Sequence, residues 1–515
     1  MSYTRRNTED GVTIMNKDLY DNLQDGIEER GITPEMFGAV GDGVHDDTEA
    51  IQEAILSASK NGLPLVFKNR YLITSFLTLF SNTHIFGWHK SSLIFSKNFE
   101  SFSNAFYIIN AFYKEGLLGK NIDSNISLCG LTLESEKVGG MTSQKVMLGF
   151  YGTDNLLIKD CTFNMDKVSD RIEPIHLRGD NTNVSFIRCK FLDSQNAKGG
   201  GGICIYNFNS DIDSYNISFE SCYFEKKNTD EILYIDAKHS DKSLGTINIQ
   251  NCTFKTILSD NNTDRMISLY TDSKLGSHGK LVIKNSEFLI ESCNDNIFYD
   301  GTTDDSDGIF IVGCNIRILK SCVGRVGTYG KFIDCYIKME NALTKYNFFV
   351  SCKLKECIVL GYIPDNFTSY VFADSILKNC KITFNSDLAN YSGFVRCSLE
   401  NCSIEKCKVE NLIQNPKSIY GNHFLSDVSV SNLFCNFTED SSITYENSIS
   451  IIKDNIFDME IVKIWTSVAN IFLVDNICKG LSVNGISGKS RIGKGNIYTS
   501  LAGSFTLESG NLLLT

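Results

Sequence analysis

One short pattern recurs down most of the chain: apolar, any, polar, a small Cys or Ser, any, apolar. It reads LLIKDCTF, SFIRCKF, SFESCYF, INIQNCTF, LVIKNSEF, IFIVGCNI, KFIDCYI, KLKECIV, ILKNCKI and SLENCSI. The later strings SIYGNHF, IIKDNIF, FLVDNIC and IGKGNIY carry Asn at the Cys position. The small position falls at Cys129, Cys161, Cys189, Cys222, Cys252, Ser286, Cys314, Cys335, Cys357, Cys380, Cys402, Asn422, Asn455, Asn476 and Asn496. The steps are 32, 28, 33, 30, 34, 28, 21, 22, 23, 22, 20, 33, 21 and 20 residues. A step near 21 is too short for strand, crossover helix and strand. It fits one coil of a parallel β-solenoid, with three short strands and three turns per rung and the next rung stacked about 4.8 Å above. The apolar alternation has strand period rather than helix period. Fourteen stacking steps predict a rod of roughly 65 Å.

The repeat explains the 18 cysteines. Stacked at one point of every rung, a thiol packs tightly, and stacked Asn amides hydrogen-bond up and down as a ladder. These cysteines are read as structural, with no nucleophile among them. The chain has no C-x-x-C pair and seven scattered histidines; its tightest thiol group is Cys397, Cys402 and Cys407. That spacing gives no zinc signature, and no metal is expected. Five prolines and no Gly/Ser-rich linker over 515 residues point to one elongated body. A net charge of −12 gives no basic footprint for nucleic acid. No run of about 18 apolar residues suggests a membrane span, and MSYTRRNTED lacks the apolar core of a secretory signal. Synthesis in the cytosol and reduced thiols are the expectation.

The stretch FGAVGDGVHDDTEAIQEAI, Phe37 to Ile55, packs glycines and aspartates before a helical pattern. Asp46 or Asp47 would cap that helix, and Ala50, Ile51, Ala54 and Ile55 would form its apolar stripe. An anion-binding loop is the other reading of these residues. The stretch resembles the opening motif of the pectate-lyase-like superfamily, which includes pectin-degrading enzymes, polysaccharide epimerases and many bacteriophage tailspikes. The resemblance implies an all-β, right-handed parallel β-helix, with the Asp46-Asp47-Thr48 segment starting a helix that covers the open end of the solenoid. NTEDGVTIMNKDLYDNLQDGIEE, Asn7 to Glu29, resembles the short leader of tail fibre and baseplate proteins of phages that infect Gram-positive bacteria. It has a DG turn, a capping Asn16 and a helix carrying Leu19, Leu23 and Ile27, a spacing that can seat on a partner or in a three-chain bundle. Together the two resemblances imply a virion tail protein, made in the host cytoplasm, that forms a homotrimer and joins tail or baseplate proteins through its N-terminus. The expected organisation is a leader over 1–33, a cap over 34–120 and the β-helix over 121–515.

Rungs between Cys129 and Cys314 run 7 to 13 residues longer than the 21-residue coil. Extra residues in a solenoid become loops, and loops along one face build a binding groove. One strand aligns across these rungs: EPIHLRGD, GGICIYNF, EILYIDAK, RMISLYTD and DNIFYDGT. Its inward set is Ile175, Leu177, Ile203, Ile205, Leu233, Ile235, Ile267 and Leu269. The outward rows read Glu173, Gly201 or Gly202, Glu231, Arg265, Asp295; then His176, Cys204, Tyr234, Ser268, Phe298; then Arg178, Tyr206, Asp236, Tyr270, Asp300. A further row holds Asp180, Phe208, Lys238, Asp272 and Thr302. Rings that stack on pyranose faces beside charged groups that bind hydroxyls suit a sugar groove. His176, Arg178, Tyr206, Tyr234, Lys238, Tyr270 and Asp272 are the candidate substrate-binding residues.

Glycoside hydrolysis needs two carboxyl groups about 5–5.5 Å apart for retention or about 6.5–9.5 Å for inversion. Rungs about 4.8 Å apart make Asp236 with Asp300, and Glu173 with Glu231, two-rung pairs compatible with inversion. Glu231 and Asp236 are the leading catalytic candidates, followed by Asp300 and Glu173. A lyase would instead need a base and a cation beside a uronate, from among His176, Arg178, Tyr234 and Lys238. The acidic loop DGTTDDSDG, Asp300 to Gly308, suggests Ca²⁺ but lacks the full EF-hand pattern, with Thr303 at a ligand position. The run Gly199 to Gly202 is read as a flexible loop, since no G-K-[ST] follows it. The expected function is a tailspike that binds and depolymerises a bacterial surface polysaccharide or teichoic acid, as a glycosidase before a lyase. A receptor-binding tail protein without chemistry, or a host pectinase, are the alternatives.

Overall fold

A computed structural model describes residues 31–515 apart from 89–90, 101–105, 112–122, 137–144, 166–171, 193–201, 208–214, 228–230, 239–240, 258–264, 272–278, 292, 294, 302–307, 320–323, 341–346, 363–369, 386–391, 406–407, 415–417, 425–428, 437–448, 458–461, 467–469, 479, 486–490, 493–494, 499, 504–505, 508 and 514–515. The leader predicted over 1–33 lies almost wholly outside the described residues, as do Phe208, Asp272 and Thr302. Each rung contributes one short strand to each of three long parallel sheets, taken in turn along the chain. The architecture is a right-handed parallel β-helix. The first rung shows the order: Leu65–Phe67 in the first sheet, Arg70–Ser75 in the second, Leu77–Leu79 in the third.

The repeated small residue sits at the corner between the first and second sheets. The residue before it adopts a left-handed backbone in rung after rung: Asp160, Arg188, Ser221, Asn251, Asn285, Gly313, Asp334, Glu356, Asn379 and Asn401 all have φ between 48° and 62°. For a residue with a Cβ that geometry costs roughly 1–2 kcal/mol. The ladder side chain adds a second donor to a carbonyl at the corner that already accepts a backbone N–H. Cys161 Sγ donates to Lys159 O at 3.4 Å, Cys252 Sγ to Gln250 O at 3.3 Å, Ser286 Oγ to Lys284 O at 2.8 Å and Cys402 Sγ to Glu400 O at 3.4 Å. From Asn422 onward the amides form the expected ladder. Asn422 Nδ2 donates to Asn455 Oδ1 at 3.1 Å, Asn455 to Asn476 at 2.9 Å and Asn476 to Asn496 at 3.0 Å.

Cys129 is not part of this ladder. It is the last residue of strand Asp123–Cys129 and pairs with Lys159, so the position equivalent to Cys161 is Leu131, after a left-handed Gly130. The three cysteines grouped in sequence do not meet at one point either. Cys402 lies at the first-to-second corner, Cys397 at the third-to-first corner after a left-handed Arg396, and Cys407 is outside the described residues.

Inside the second sheet, Phe163, Phe191, Phe224, Phe254 and Phe288 stack in register with ring centroids 4.6 to 5.0 Å apart. The α-helix Thr48–Asn61 touches the first-rung strands of all three sheets, which places it across the end of the solenoid. Its buried face is Thr48, Ile51, Ala54, Ile55 and Ala58, while Ala50 is only partly covered. The two aspartates divide the work there. Asp46 Oδ1 accepts Thr48 N at 3.1 Å, and Asp46 Oδ2 accepts Thr74 Oγ1 at 2.6 Å. Asp47 instead ties the glycine loop, accepting Val40 N at 2.6 Å and Gly41 N at 3.1 Å.

Candidate functional site: an aromatic row on the third sheet

The third sheet carries the predicted face on strands Ile172–Arg178, Ile203–Tyr206, Leu233–Ala237, Ile267–Thr271 and Asn296–Asp300. All eight residues of the predicted inward set are buried in the core. Connection lengths show what frames the face. The links after the last four of these strands, 207–214, 238–245, 272–279 and 301–307, run seven or eight residues, while the link after Arg178 is three, 179–181. Later equivalents, 329–330, 351–352, 374–375 and 396–397, are two residues long. The long links flank the same rungs that carry the tyrosines.

Register holds as predicted over four strands. His176 pairs with Cys204, Cys204 with Tyr234 and Tyr234 with Ser268; Arg178 pairs with Tyr206, Tyr206 with Asp236 and Asp236 with Tyr270. At the fifth strand it slips by one residue. Ser268 pairs with Tyr299 and Leu269 with Asp300, so Tyr299 joins the outer row and Phe298 turns into the core. Asp300 is fully buried on the inward side, where its Oδ2 accepts Ile309 N at 2.7 Å. It leaves the list of groove carboxylates, and the Asp236–Asp300 pair goes with it. A one-residue slip exchanges the two faces of a strand.

The rings form one zigzag row. Successive centroids from Phe106 through His176, Tyr206, Tyr234 and Tyr270 to Tyr299 lie 5.8, 5.6, 5.7, 5.4 and 5.3 Å apart. Three cations are seated on it: Arg178 between Phe106 and Tyr206 at 5.3 and 5.7 Å, Lys238 over Tyr270 at 4.2 Å, and Arg265 over Tyr299 at 3.9 Å. Arg265 also donates to Asp295 at 2.8 Å and contacts the Tyr270 hydroxyl. Tyr299 and Arg265's role in the row were missed in the sequence because the slip hid one and the other sits at the strand margin.

Each carboxylate on the face has a partner. Asp236 Oδ2 accepts the Tyr234 hydroxyl at 2.8 Å and its Oδ1 accepts Lys238 N at 3.0 Å. Glu231 Oε1 accepts Ser268 Oγ at 2.8 Å. Glu173 contacts His176 Nε2 and accepts Cys204 Sγ at 3.5 Å. Glu231 lies before the strand Leu233–Ala237 that carries Asp236, and its carboxylate bonds Ser268, the register partner of the Tyr234 that bonds Asp236.

Burial shifts several groups of the face. It pushes the Tyr234 hydroxyl up, reinforced by its bond to Asp236, and pushes Tyr206 up, reinforced by Cys204 and Glu173. His176 is pulled down to about 3 by burial, with the Arg178 charge adding to the effect. Of the remaining predictions, Arg178 is half-buried, Lys238 exposed and Asp180 buried, and the acidic loop 302–307 lies outside the described residues.

Residues 35–257 match the family model described as rhamnogalacturonase A/epimerase, pectate lyase-like. A stretch of 93 residues is 30% identical to plasmin and fibronectin-binding protein A of Streptococcus pneumoniae, covering 18% of this chain and 13% of that protein. The chain thus spans a small part of the curated relative it matches. Among solved structures, the E. coli bacteriophage HK620 tailspike mutant in complex with hexasaccharide is 11% identical with a TM-score of 0.43, over 95% of this chain and 79% of that one. Bacteriophage CBA120 tailspike protein 3 is 13% identical with a TM-score of 0.44, over 87% and 65%. The S. pneumoniae surface adhesin PfbA is 15% identical with a TM-score of 0.34, over 89% and 93%.

Proposed function

We propose that this chain is a tailspike or receptor-binding protein of a phage tail that docks a bacterial surface glycan along the third sheet. The observation that carries the reading is the unbroken row from Phe106 to Tyr299 with cations seated on its rings. Four tyrosines in contact across four successive rungs present flat apolar surface at intervals of about 5.5 Å, comparable with the length of a pyranose unit. The tail location, the homotrimer and attachment through residues 1–33 follow from the sequence resemblances and belong to the same proposal. The polymer is a surface polysaccharide or teichoic acid.

Cleavage is the second reading, and one observation favours it. Glu173 and Glu231 stand two rungs apart, and both charges act on Cys204. Two rungs are about 9.6 Å at the backbone, within side-chain reach of the inverting range. Incubating the purified chain with host wall polymer and capsule separates the readings. Retention on the polymer with no new reducing ends supports docking alone, and new reducing ends without unsaturated-uronate absorbance support hydrolysis. Reducing ends with that absorbance indicate a lyase. No retention on any host polymer overturns the proposal.

A further inference from the structure

The densest group of metal-binding atoms among the described residues lies at one end of the aromatic row. His176 and Cys204 are register partners on consecutive rungs, so their side chains leave the sheet one above the other. Glu173 reaches the same point from three residues earlier, just before Pro174. One donor atom from each residue lies within 4.8 Å of the other two, and none of the three residues is more than 3% exposed. His176 Nδ1 is buried with no hydrogen-bond partner.

We propose that Glu173, His176 and Cys204 bind one divalent transition-metal ion of the zinc class. Zinc bonds of about 2.3 Å to sulfur and about 2.0–2.2 Å to nitrogen and oxygen put tetrahedral donor atoms about 3.4–3.6 Å apart. The Cys204 Sγ to Glu173 Oε2 separation is already 3.5 Å, while His176 Nε2 lies in contact with the same oxygen, so the ring or the carboxylate has to turn to admit the ion. A thiolate beside an imidazole selects zinc or cobalt over calcium and magnesium, which take oxygen ligands. A metal cation would also offset charge on the buried Glu173 carboxylate. Tyr206 covers the site, its ring 5.6 Å from that of His176. Three protein donors leave one coordination position for water or a glycan oxygen. The site goes beyond the docking reading and stands without it. An occupied site would also remove Glu173 from service as a hydrolytic acid.

Cobalt titration of the chelator-stripped full chain tests the proposal. The expected result is one equivalent bound, with a thiolate-to-cobalt charge-transfer band in the near ultraviolet. Cys204→Ser abolishes the band, Cys129→Ser retains it, and added zinc bleaches it. His176→Gln weakens cobalt binding at least tenfold, with far-UV circular dichroism checking each fold. Absence of the band at one equivalent, or a band that survives Cys204→Ser, overturns the assignment. Should Cys204→Ser misfold, Glu173→Gln is read instead: cobalt affinity at least tenfold weaker supports the site, and unchanged affinity overturns it.

Discussion

The Tyr234 hydroxyl donates to Asp236 Oδ2 at 2.8 Å, two residues along one strand, and this bond fixes a ring in the middle of the aromatic row. Tyr234→Ala removes both the stacking surface and the hydrogen bond. Glycan affinity is expected to fall about five- to twentyfold, corresponding to roughly 1–2 kcal/mol for a ring of this kind. Tyr234→Phe keeps the ring and loses less. Isothermal titration with a host oligosaccharide measures both, and equal losses would show that the hydroxyl rather than the ring is the contact.

Asp236 and Asp300 separate face from interior. Asp300→Ala leaves the Ile309 N–H unsatisfied in the core, a loss of roughly 1–3 kcal/mol of stability. Its folded fraction should bind glycan with unchanged affinity. Asp236→Ala removes the acceptor of Lys238 N and of the Tyr234 hydroxyl, so it is expected to lose stability and glycan binding together. Urea denaturation alongside polymer retention distinguishes them.

In the C-terminal ladder, Asn455 accepts Asn422 N at 2.9 Å and donates to Lys453 O at 2.9 Å. Asn455→Leu strands Asn422 N in the core and breaks the ladder, and is expected to cost roughly 1–3 kcal/mol. Each rung leans only on its neighbours. Hydrogen exchange should therefore accelerate around 419–476 while the rungs near 129–314 keep their protection.

Asp46 carries a pH signature. Burial tends to raise its pKa, but bonds from Thr48 and Thr74 outweigh this and leave it below the usual carboxylate value of 3.8. A depressed folded pKa means that its stabilisation is complete above 3.8 and is lost as pH falls through the folded value. Asp46→Ala should lower stability at pH 7 by roughly 0.5–2 kcal/mol, as for a lost helix cap. The gap to the unmodified chain should close in acid, with glycan binding untouched at neutral pH.

Much of this architecture was legible because a β-solenoid writes its period into the chain. The Cys and Asn positions marked one corner of every rung, and four of five strands on the face aligned by their apolar residues. Two errors share one cause. At Cys129 and at Asp300 a cysteine or an apolar residue lay one or two places from the true register, and matching residue type alone followed it. Gly130 was the available signal for the first, since the corner residue before the ladder takes a left-handed backbone. For the second, Phe298 packs in the core between Phe288 and Phe332, at 4.9 and 5.8 Å, and Ile297 beside it is buried too, so residue type did not mark the register. The Glu173, His176 and Cys204 cluster was invisible to spacing because 28 residues separate His176 from Cys204 and only stacking unites them.

Stacking of neighbouring coils also governs how the chain reaches this form. Register partners lie between 15 residues apart, at Ile497 and Leu512, and 43 apart, at His84 and Ser127. Those separations are about 3–8% of the chain, as local as the contacts of small helical bundles and far below the roughly 16–22% of β-sandwiches. An all-β chain with such short closures need not search for distant partners: each finished coil offers a ready edge to the next segment, and folding advances as growth on a template.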